Sequence, residues 1–497
     1  MAQAVWNPET ECMPLDKLVE LCQAKLTESR VVERAARSAL YRDRWAAAGI
    51  EPDEIRTIQD LAKLPYLTGS ELRKTQADYE PDEWVCSDQV RMWISTSGTT
   101  GTPKWIPVGE GDIAQFRDSI AKLATLIVGS LEDWSVLYIG GSAPFISESG
   151  GYILLANQIL DDKQAEFAFV AMPESLDALT FARIAKLEGV FLAPSLAVLI
   201  AEGVSANAAP GAREQFKKEK NLRNLLGVLA TSVMKVKAKN VFNFKWGAFG
   251  GEPVDPYRSA ILDHYGFRPH SAYGATELLY SCPVVECSEH TGMHIYVDVC
   301  VPELIVKEEL EREQSDPAYV PRAVPIWETS PGTLGELVLT TFADALPLIR
   351  YRMSDLVQVI STEPCGCGRT HPRIKILYRS DDMVSLGLIR FSIYLLKDKL
   401  EEVGEHGEIA KWQLRVTREG TKPKAVLVVE PRGAVDKDAF AQELADKLDE
   451  MEGMRQAWEN NLIARPEVRL VDELEEHRST LGKVKLLIYE DAYLGEA

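Results

Sequence analysis

Apolar residues recur on two different periods along this chain, and the changes of period mark its organisation. Through LDKLVELCQAKL and VVERAARSALYRDRWAAAGI, within residues 15–50, they fall at helical spacing, which predicts helix. VRMWIST (90–96) alternates and is rich in strand formers, so a strand is expected there, and DIAQFRDSIAKLATLIVG (112–129) returns to the helical period. Further strand-like runs are SVLYIGG (135–141), AEFAFVAM (165–172), GVFLAP (189–194), FKWGAFGG (244–251) and GELVLTTF (335–342). The helical stretches LDALTFARIAKLE (176–188) and PSLAVLIAEGV (194–204) lie between them. Strands alternating with helices imply an α/β protein whose parallel or mixed sheet is flanked by helices on both faces. The segment VSANAAPGAREQFKKEK (204–220) is polar and reads as a surface excursion.

The order of elements changes near residue 378. Beyond it come a helix near 391–403, the strands WQLRVTRE and KAVLVVEP, the helix DKDAFAQELADKLDEME, and the strands EVRLVD and KVKLLIYE. That is a small α+β pattern, so the expected division is a large domain at 1–377 and a small C-terminal domain at 378–497.

Composition narrows the partners. With 497 residues, 46% of them hydrophobic, the chain is long enough for a large core and more than one domain. Lys and Arg number 55 against 75 Asp and Glu, a net charge of −20. Nucleic acid and anionic membrane surfaces both need a positive face, so neither is an expected partner. No apolar run approaches a membrane span, and the N-terminus lacks a basic start and an apolar signal core. A cytoplasmic location is the expectation. Of 8 cysteines, Cys12, Cys22, Cys86 and Cys300 are scattered and read as reduced packing residues.

The stretch STSGTTGTPK (95–104) carries the first chemistry. Backbone N–H groups of a Gly/Ser/Thr turn can converge on an anion, hydroxyls add donors, and Lys104 offers a point charge. It is not a Walker loop: Gly98 and Gly101 are only three apart, and Pro103 precedes the lysine. Composition alone leaves a polar linker open as the alternative.

Six segments in order resemble the motifs of the adenylate-forming superfamily, which includes acyl-CoA ligases. They are STSGTTGTPK, FGGEPV (249–254), SAYGATE (271–277), IRYRMSDL (349–356), YRSDDM (378–383) and LGKVK (481–485). The resemblance is strongest to phenylacetate–CoA ligases and their relatives. It implies that Ser97, Gly98, Thr99, Thr100, Gly101 and Lys104 hold the β,γ-phosphates of ATP. Gly250, Gly251 and Glu252 would line the adenine, and Tyr273, with Gly274 beside it, would stack on the base. Thr276 would hydrogen-bond the α-phosphate and Glu277 would hold Mg²⁺. Asp355 would accept from the ribose hydroxyls, and Arg379 would contact the nucleotide near a hinge at Asp381. Lys483 would bridge the substrate carboxylate and the α-phosphate during adenylation.

A second constellation has a reading of its own. Cys287-x6-His294, followed by Cys365-x-Cys367, offers three thiolates and an imidazole, a donor set suited to a closed tetrahedral zinc site. Core cysteines beside an unrelated histidine are the alternative, and His290 and His371 are alternative fourth ligands. The segments ECSEHTGMH (286–294) and CGCGRTHPRI (365–374) also resemble the zinc-bearing region of the phenylacetate–CoA ligase group.

The resemblance implies an ATP-dependent carboxylate–CoA ligase. It would form acyl-AMP and pyrophosphate, then an acyl-CoA thioester, on a small aryl or arylacetic acid. Phe145, Ile146, Phe249 and Ala272 are candidate linings of the acid pocket. Departures from the family pattern bear on the second half-reaction: Met353-Ser354 replaces Thr-Gly, Tyr378 replaces the hinge glycine, and VSLGLIRFS is a loose match to the loop on the coenzyme A side. The alternatives are transfer to a carrier-protein thiol or an amine, or a scaffold that keeps the fold without catalysis. A homodimer is compatible with either.

Overall fold

The helical period of residues 15–50 is realised as three helices, Leu15–Glu28, Val31–Ala35 and Arg42–Ala47. The first break falls at Arg30, whose φ of 50° lies in the left-handed region and cannot continue a right-handed helix. The computed structural model describes residues 5–95, 104–129, 135–140, 166–171, 175–218, 236–251, 254–278, 284–316, 318–379, 383–386, 389–419, 422–451, 453–459, 463–475 and 485–490. The chain divides into two compact units, Met1–Leu377 and Tyr378–Ala497.

In the first unit, β1 (Val90–Ser95) pairs antiparallel with β2 (Trp105–Gly109), with Ser95 opposite Trp105. Residues 96–103, most of the Ser/Thr/Gly stretch, fall between these strand ends and outside the described residues. The helix Glu110–Ile127 follows directly. Its buried Asp112 accepts from the backbone N–H groups of Gly109 (2.8 Å), Asp344 (2.6 Å) and Ala345 (3.0 Å), tying the helix start to a distant loop.

The main sheet has twelve strands among the described residues. β3 (Ser135–Gly140), β4 (Glu166–Ala171), β5 (Gly189–Leu192), β6 (Trp246–Phe249) and β7 (His270–Tyr273) run parallel, in the order β4-β3-β5-β6-β7. The helices Ser175–Ala185, Pro194–Lys218 and Arg258–Tyr265 lie in the crossovers, as parallel pairing requires. Direction reverses at β8 (Val284–Glu286), antiparallel to β7. From there the sheet extends through β9 (Met293–His294), β10 (Cys300–Val306), β11 (Ala323–Pro325), β12 (Leu334–Thr341), β13 (Tyr351–Ser361) and β14 (Arg373–Arg379), in the spatial order β8-β9-β14-β13-β12-β10-β11. This is the mixed α/β architecture that the alternating periods imply.

Two expectations are corrected here. The stretch from 204 read as a polar surface excursion is helical: the helix starting at Pro194 continues through it to Lys218, with Pro210 inside it. Four alanines in SANAAPGA supply helix propensity that a reading of polarity alone misses. Phe249 is fully buried in a core cluster with Leu192, Leu196 and Ile261, and its ring stacks on Phe267 at 6.4 Å. A side chain committed to the core in this way does not line an acid pocket.

The second unit has its own core. β15 (Met383–Leu386) and β16 (Ile389–Ser392) form a hairpin. β17 (Ile409–Glu419), β18 (Lys422–Pro431), β19 (Glu467–Leu470) and β20 (Leu487–Tyr489) form a four-stranded sheet in the order β19-β18-β17-β20. Leu414, Leu427 and Val429 of the sheet pack with Leu396 and Leu400 of the helix Ile393–Glu401 and with Phe440, Leu444 and Leu448 of the helix Lys437–Asp449. Among the described residues no helix is long and apolar enough to cross a membrane.

Candidate active site and metal centre

The carboxyl ends of β6 and β7 lie side by side next to the point where the sheet reverses at β8. In open α/β sheets, ligands bind outside the carboxyl ends of the parallel strands. Gly250 and Gly251 follow β6 directly. A Cβ on Gly250 would lie 2.6 Å from the carbonyl oxygen of Ala272, and Gly251 has a φ of +84°, so both positions require glycine. Tyr273 closes β7; Gly274 follows it, and Thr276–Leu278 forms a single 3₁₀ turn with Thr276 buried.

β13 faces these turns. Its residues alternate, so that Tyr351, Met353 and Asp355 are buried while Arg352 and Ser354 are half-buried. The hydroxyl of Tyr273 donates to Asp355 Oδ2 at 2.6 Å. Two steps along the same face, the Tyr351 hydroxyl donates to Glu277 Oε1 at 2.9 Å. Lys104 Nζ donates to that same oxygen and lies 3.1 Å from the Tyr351 hydroxyl. Burial alone would raise the pKa of Glu277. The Lys104 charge and hydrogen bond, helped by Tyr351, outweigh it and hold the carboxyl below its usual range. The structure therefore brings together Lys104, Tyr273, Glu277 and Asp355, with Gly250 and Gly251 at the neighbouring strand end.

Both arginines of the RYR run turn away from this cluster. Arg350 is buried, with Nε 3.2 Å and Nη2 3.1 Å from the two oxygens of Glu303, and it donates to the carbonyl of Leu64 at 3.0 Å. Its guanidinium also lies 4.2 Å from the centre of the Tyr66 ring. Arg352 grips Glu313 (2.6 and 2.9 Å) and Glu336 (3.1 and 2.6 Å). Leu67 bridges Tyr351 in parallel, its N–H donating to Arg350 O at 3.1 Å and its carbonyl accepting from Arg352 N at 2.9 Å. The arginines thus fix the strand, and the tyrosine between them reaches the site. Tyr351 carries no expectation in the sequence reading; its signal is the two-residue period that puts it on the face of Asp355. Ser354 stands where the family pattern has glycine, and its φ of 59° explains why glycine suits the position.

Ser97, Gly98, Thr99, Thr100, Gly101, Glu252, Asp381 and Lys483 lie outside the described residues, as do Phe145 and Ile146. Arg379 ends β14, with only its backbone described.

The cysteine–histidine constellation assembles in a separate place. The ligand atoms of Cys287, His294, Cys365 and Cys367 all lie within 4.8 Å of one another, and all four residues are buried. Cys287 Sγ is 3.7 Å from Cys365 Sγ, and Cys367 Sγ is 3.5 Å from His294 Nε2. Local turns aim the sulfurs: His290 N donates to Cys287 O at 3.0 Å, and Gly368 N to Cys365 O at 2.9 Å, with Gly368 at a φ of +91°. The thiols share their protons, so Cys365 and Cys367 are shifted down and Cys287 up by hydrogen bonding among them. Three sulfurs and an imidazole at these distances fit a tetrahedral cation. The alternative fourth ligands point elsewhere: His290 lies against His270 with ring centres 4.6 Å apart, and His371 Nδ1 accepts from Val297 N at 3.2 Å. The loop carrying Cys365 and Cys367 is anchored by Arg369, which pairs with Glu11 at 2.5 Å, both fully buried.

Fold and sequence together liken the chain to AMP-forming acid–thiol ligases. No family model matches it. Its particular likeness is to phenylacetate–coenzyme A ligases. It is 25% identical to that of Thermus thermophilus over 459 residues, 89% of this chain and 88% of the relative. It is 27% identical to that of Escherichia coli over 405 residues, 77% of this chain and 75% of the relative. Among solved structures, 2-hydroxyisobutyryl-CoA ligase in the postadenylation state, in complex with 2-HIB-AMP, matches with a TM-score of 0.73 at 20% identity, covering 99% of this chain and 93% of that one. An acyl acid amido synthetase in complex with 2,4-DB matches with a TM-score of 0.64 at 14% identity, covering 93% and 87%.

Proposed function

We propose that the protein is an ATP-dependent carboxylate–CoA ligase acting on an aryl or arylacetic acid in the cytoplasm. The observation that carries this reading is the meeting of Tyr273 with Asp355 and of Lys104 with Glu277 at the carboxyl ends of β6 and β7. An enzyme of this kind joins a carboxylate oxygen to the α-phosphorus of ATP and expels pyrophosphate. A thiolate then attacks the acyl carbonyl, and AMP leaves.

Asp355 has the position to take the ribose hydroxyls, and the Tyr273 ring to flank the base between Gly250 and Gly274. The glycines matter because only a bare backbone lets a flat base approach the strand ends. Thr276 supplies a hydroxyl towards the α-phosphate, and the 96–103 stretch with Lys104 supplies donors to the β,γ-phosphates. Glu277 would hold Mg²⁺. Its buried, charged carboxylate already pairs with the Lys104 cation, so a divalent cation in that place suits the donor. The metal's contribution is to neutralise charge on phosphoryl oxygens. Lys483 orients the substrate carboxylate against the α-phosphate, and Arg379 engages the nucleotide. These groups act by positioning and by charge arranged in advance of the reaction. Cys287, His294, Cys365 and Cys367 would hold a structural Zn²⁺, stapling the β8–β9 turn to the 365–371 loop with no open coordination position.

Carboxylate-dependent exchange of pyrophosphate into ATP, measured over a panel that includes phenylacetate and benzoate, tests the reading. Exchange with an arylacetic acid and acyl transfer to coenzyme A are expected; no exchange with any acid would overturn it. Lys483→Ala should abolish exchange while sparing thioester formation from supplied acyl-AMP. A second reading, with an amine or carrier-protein thiol as acceptor, is favoured by the loose VSLGLIRFS match. Acyl transfer to those acceptors in place of coenzyme A would establish it.

A further inference from the structure

The hydrogen bonds of Lys104 and Tyr351 converge on one oxygen, Oε1 of Glu277. The Lys104 and Glu277 side chains are only 13% and 9% exposed, so the pair is largely shielded from water. Gly69 packs close against the pair: a Cβ there would come within 3.2 Å of the Tyr351 hydroxyl and 3.3 Å of Lys104 Nζ. The parallel bridge from Leu67 fixes the backbone at Tyr351. Lys104 is also the first described residue after the Ser/Thr/Gly stretch, and its neighbour Trp105 is held by Gln76 through both its N–H (2.9 Å) and its carbonyl (2.6 Å).

We propose that Lys104 is a stand-in cation for the divalent metal on Glu277, with Tyr351 as the positioning residue that keeps Oε1 aimed as one cation replaces the other. An ammonium and a divalent metal ion cannot share one carboxylate oxygen at bonding distance, because their like charges repel over a few ångströms. Arrival of the metal therefore ejects Lys104 from Oε1. The displaced ammonium, held beside the site by its neighbour Trp105, then pairs with nucleotide phosphate. The exchange keeps a buried carboxylate paired at every stage, which a lone buried charge requires. This inference rests on the assignment of Glu277 to Mg²⁺ made above.

Mn²⁺ titration followed by electron paramagnetic resonance, on nucleotide-free protein, tests it without turnover. Lys104→Met and Lys104→Gln should each bind Mn²⁺ at least tenfold more tightly than wild type, because the competing cation is gone. Adding Glu277→Gln to either should erase the gain. An unchanged affinity in the Lys104 variants overturns the exchange and leaves the Glu277 assignment standing. A gain that survives Glu277→Gln overturns both. Should the Lys104 variants fail to fold, the wild type provides the second measurement. Mn²⁺ with α,β-methylene-ATP should change tryptophan fluorescence in a way that Trp105→Phe and Glu277→Gln each abolish; a change retained in Glu277→Gln overturns the proposal.

Discussion

The hydroxyl of Tyr273 lies 2.6 Å from the buried carboxylate of Asp355, so the residue assigned to the base and the residue assigned to the ribose hold each other. On the proposed assignment, nucleotide binding exchanges this bond for bonds to the ribose. Hydrogen bonds to a charged group contribute about 1.5–3 kcal/mol, so Asp355→Ala should weaken ATP binding about 10- to 100-fold. Tyr273→Phe keeps the ring and loses only the donor, and should weaken binding less than Asp355→Ala. Calorimetric titration with a non-hydrolysable ATP analogue measures both; unaltered affinity in Asp355→Ala would remove the residue from the nucleotide site.

The thiol–imidazole cluster leads to a metal analysis. Purified protein should carry about one zinc per chain, as a closed four-ligand site holds a single ion. Cys287→Ser should lower both zinc content and melting temperature. Because the cluster is separate from the Glu277 region, residual folded protein should keep its ATP affinity. Folded wild-type protein free of zinc would refute the assignment.

At Ser354 the backbone sits at a φ of 59° inside β13, where the pairing with β12 shifts register between Glu336 and Val338. A β-carbon is strained in that region and glycine is not. Ser354→Gly should therefore raise stability, on the order of 1 kcal/mol less the entropy glycine adds to the unfolded chain. The N–H of residue 354, which donates to Glu336 at 3.3 Å, is retained in the variant. Urea unfolding followed by circular dichroism gives the sign; clear destabilisation would mean that the serine hydroxyl contributes more than the strain costs.

His270 gives stability a defined acid limb. Burial, reinforced by the neighbouring His290, lowers its pKa to about 4 in the folded protein. An unfolded histidine titrates near 6.5, so between about 6.5 and 4 the unfolded chain binds the proton first and stability falls as pH drops. The loss from this one group is on the order of 3 kcal/mol, at 1.36 kcal/mol for each pKa unit. His371, whose burial lowers it to about 3, adds a second loss extending to lower pH. Stability measured across pH 4–7 should decline steadily towards acid, and His270→Gln should flatten the upper part of that decline. An identical slope in the variant would show that His270 is not the titrating group.

These residues also mark how far the sequence can be read. Period two and period 3.6 locate the elements well because burial repeats regularly along them. They fail at 204–218, where exposure hides helix propensity, and at Phe249, where an apolar side chain beside a motif belongs to the core. Among the site residues, the order of the motifs identifies Glu277 and Asp355, but it gives no hint of what each touches. The partners Lys104 and Tyr273 come from 173 residues and 82 residues away, distances that local pattern does not span. Tyr351 stands between two arginines in a quoted motif, yet the motif does not say that both guanidinium groups pair with glutamates away from the site while the phenol enters it.

The arginine anchoring also makes the early chain answerable for what happens at the nucleotide. Arg350 reaches the carbonyl of Leu64, 286 residues earlier, and Leu67 carries the bridge to Tyr351. A random-mutagenesis screen for poor ATP use should therefore recover lesions at Leu64, Tyr66 and Leu67. Judged by sequence position alone, those lesions would be mistaken for folding defects of a peripheral segment.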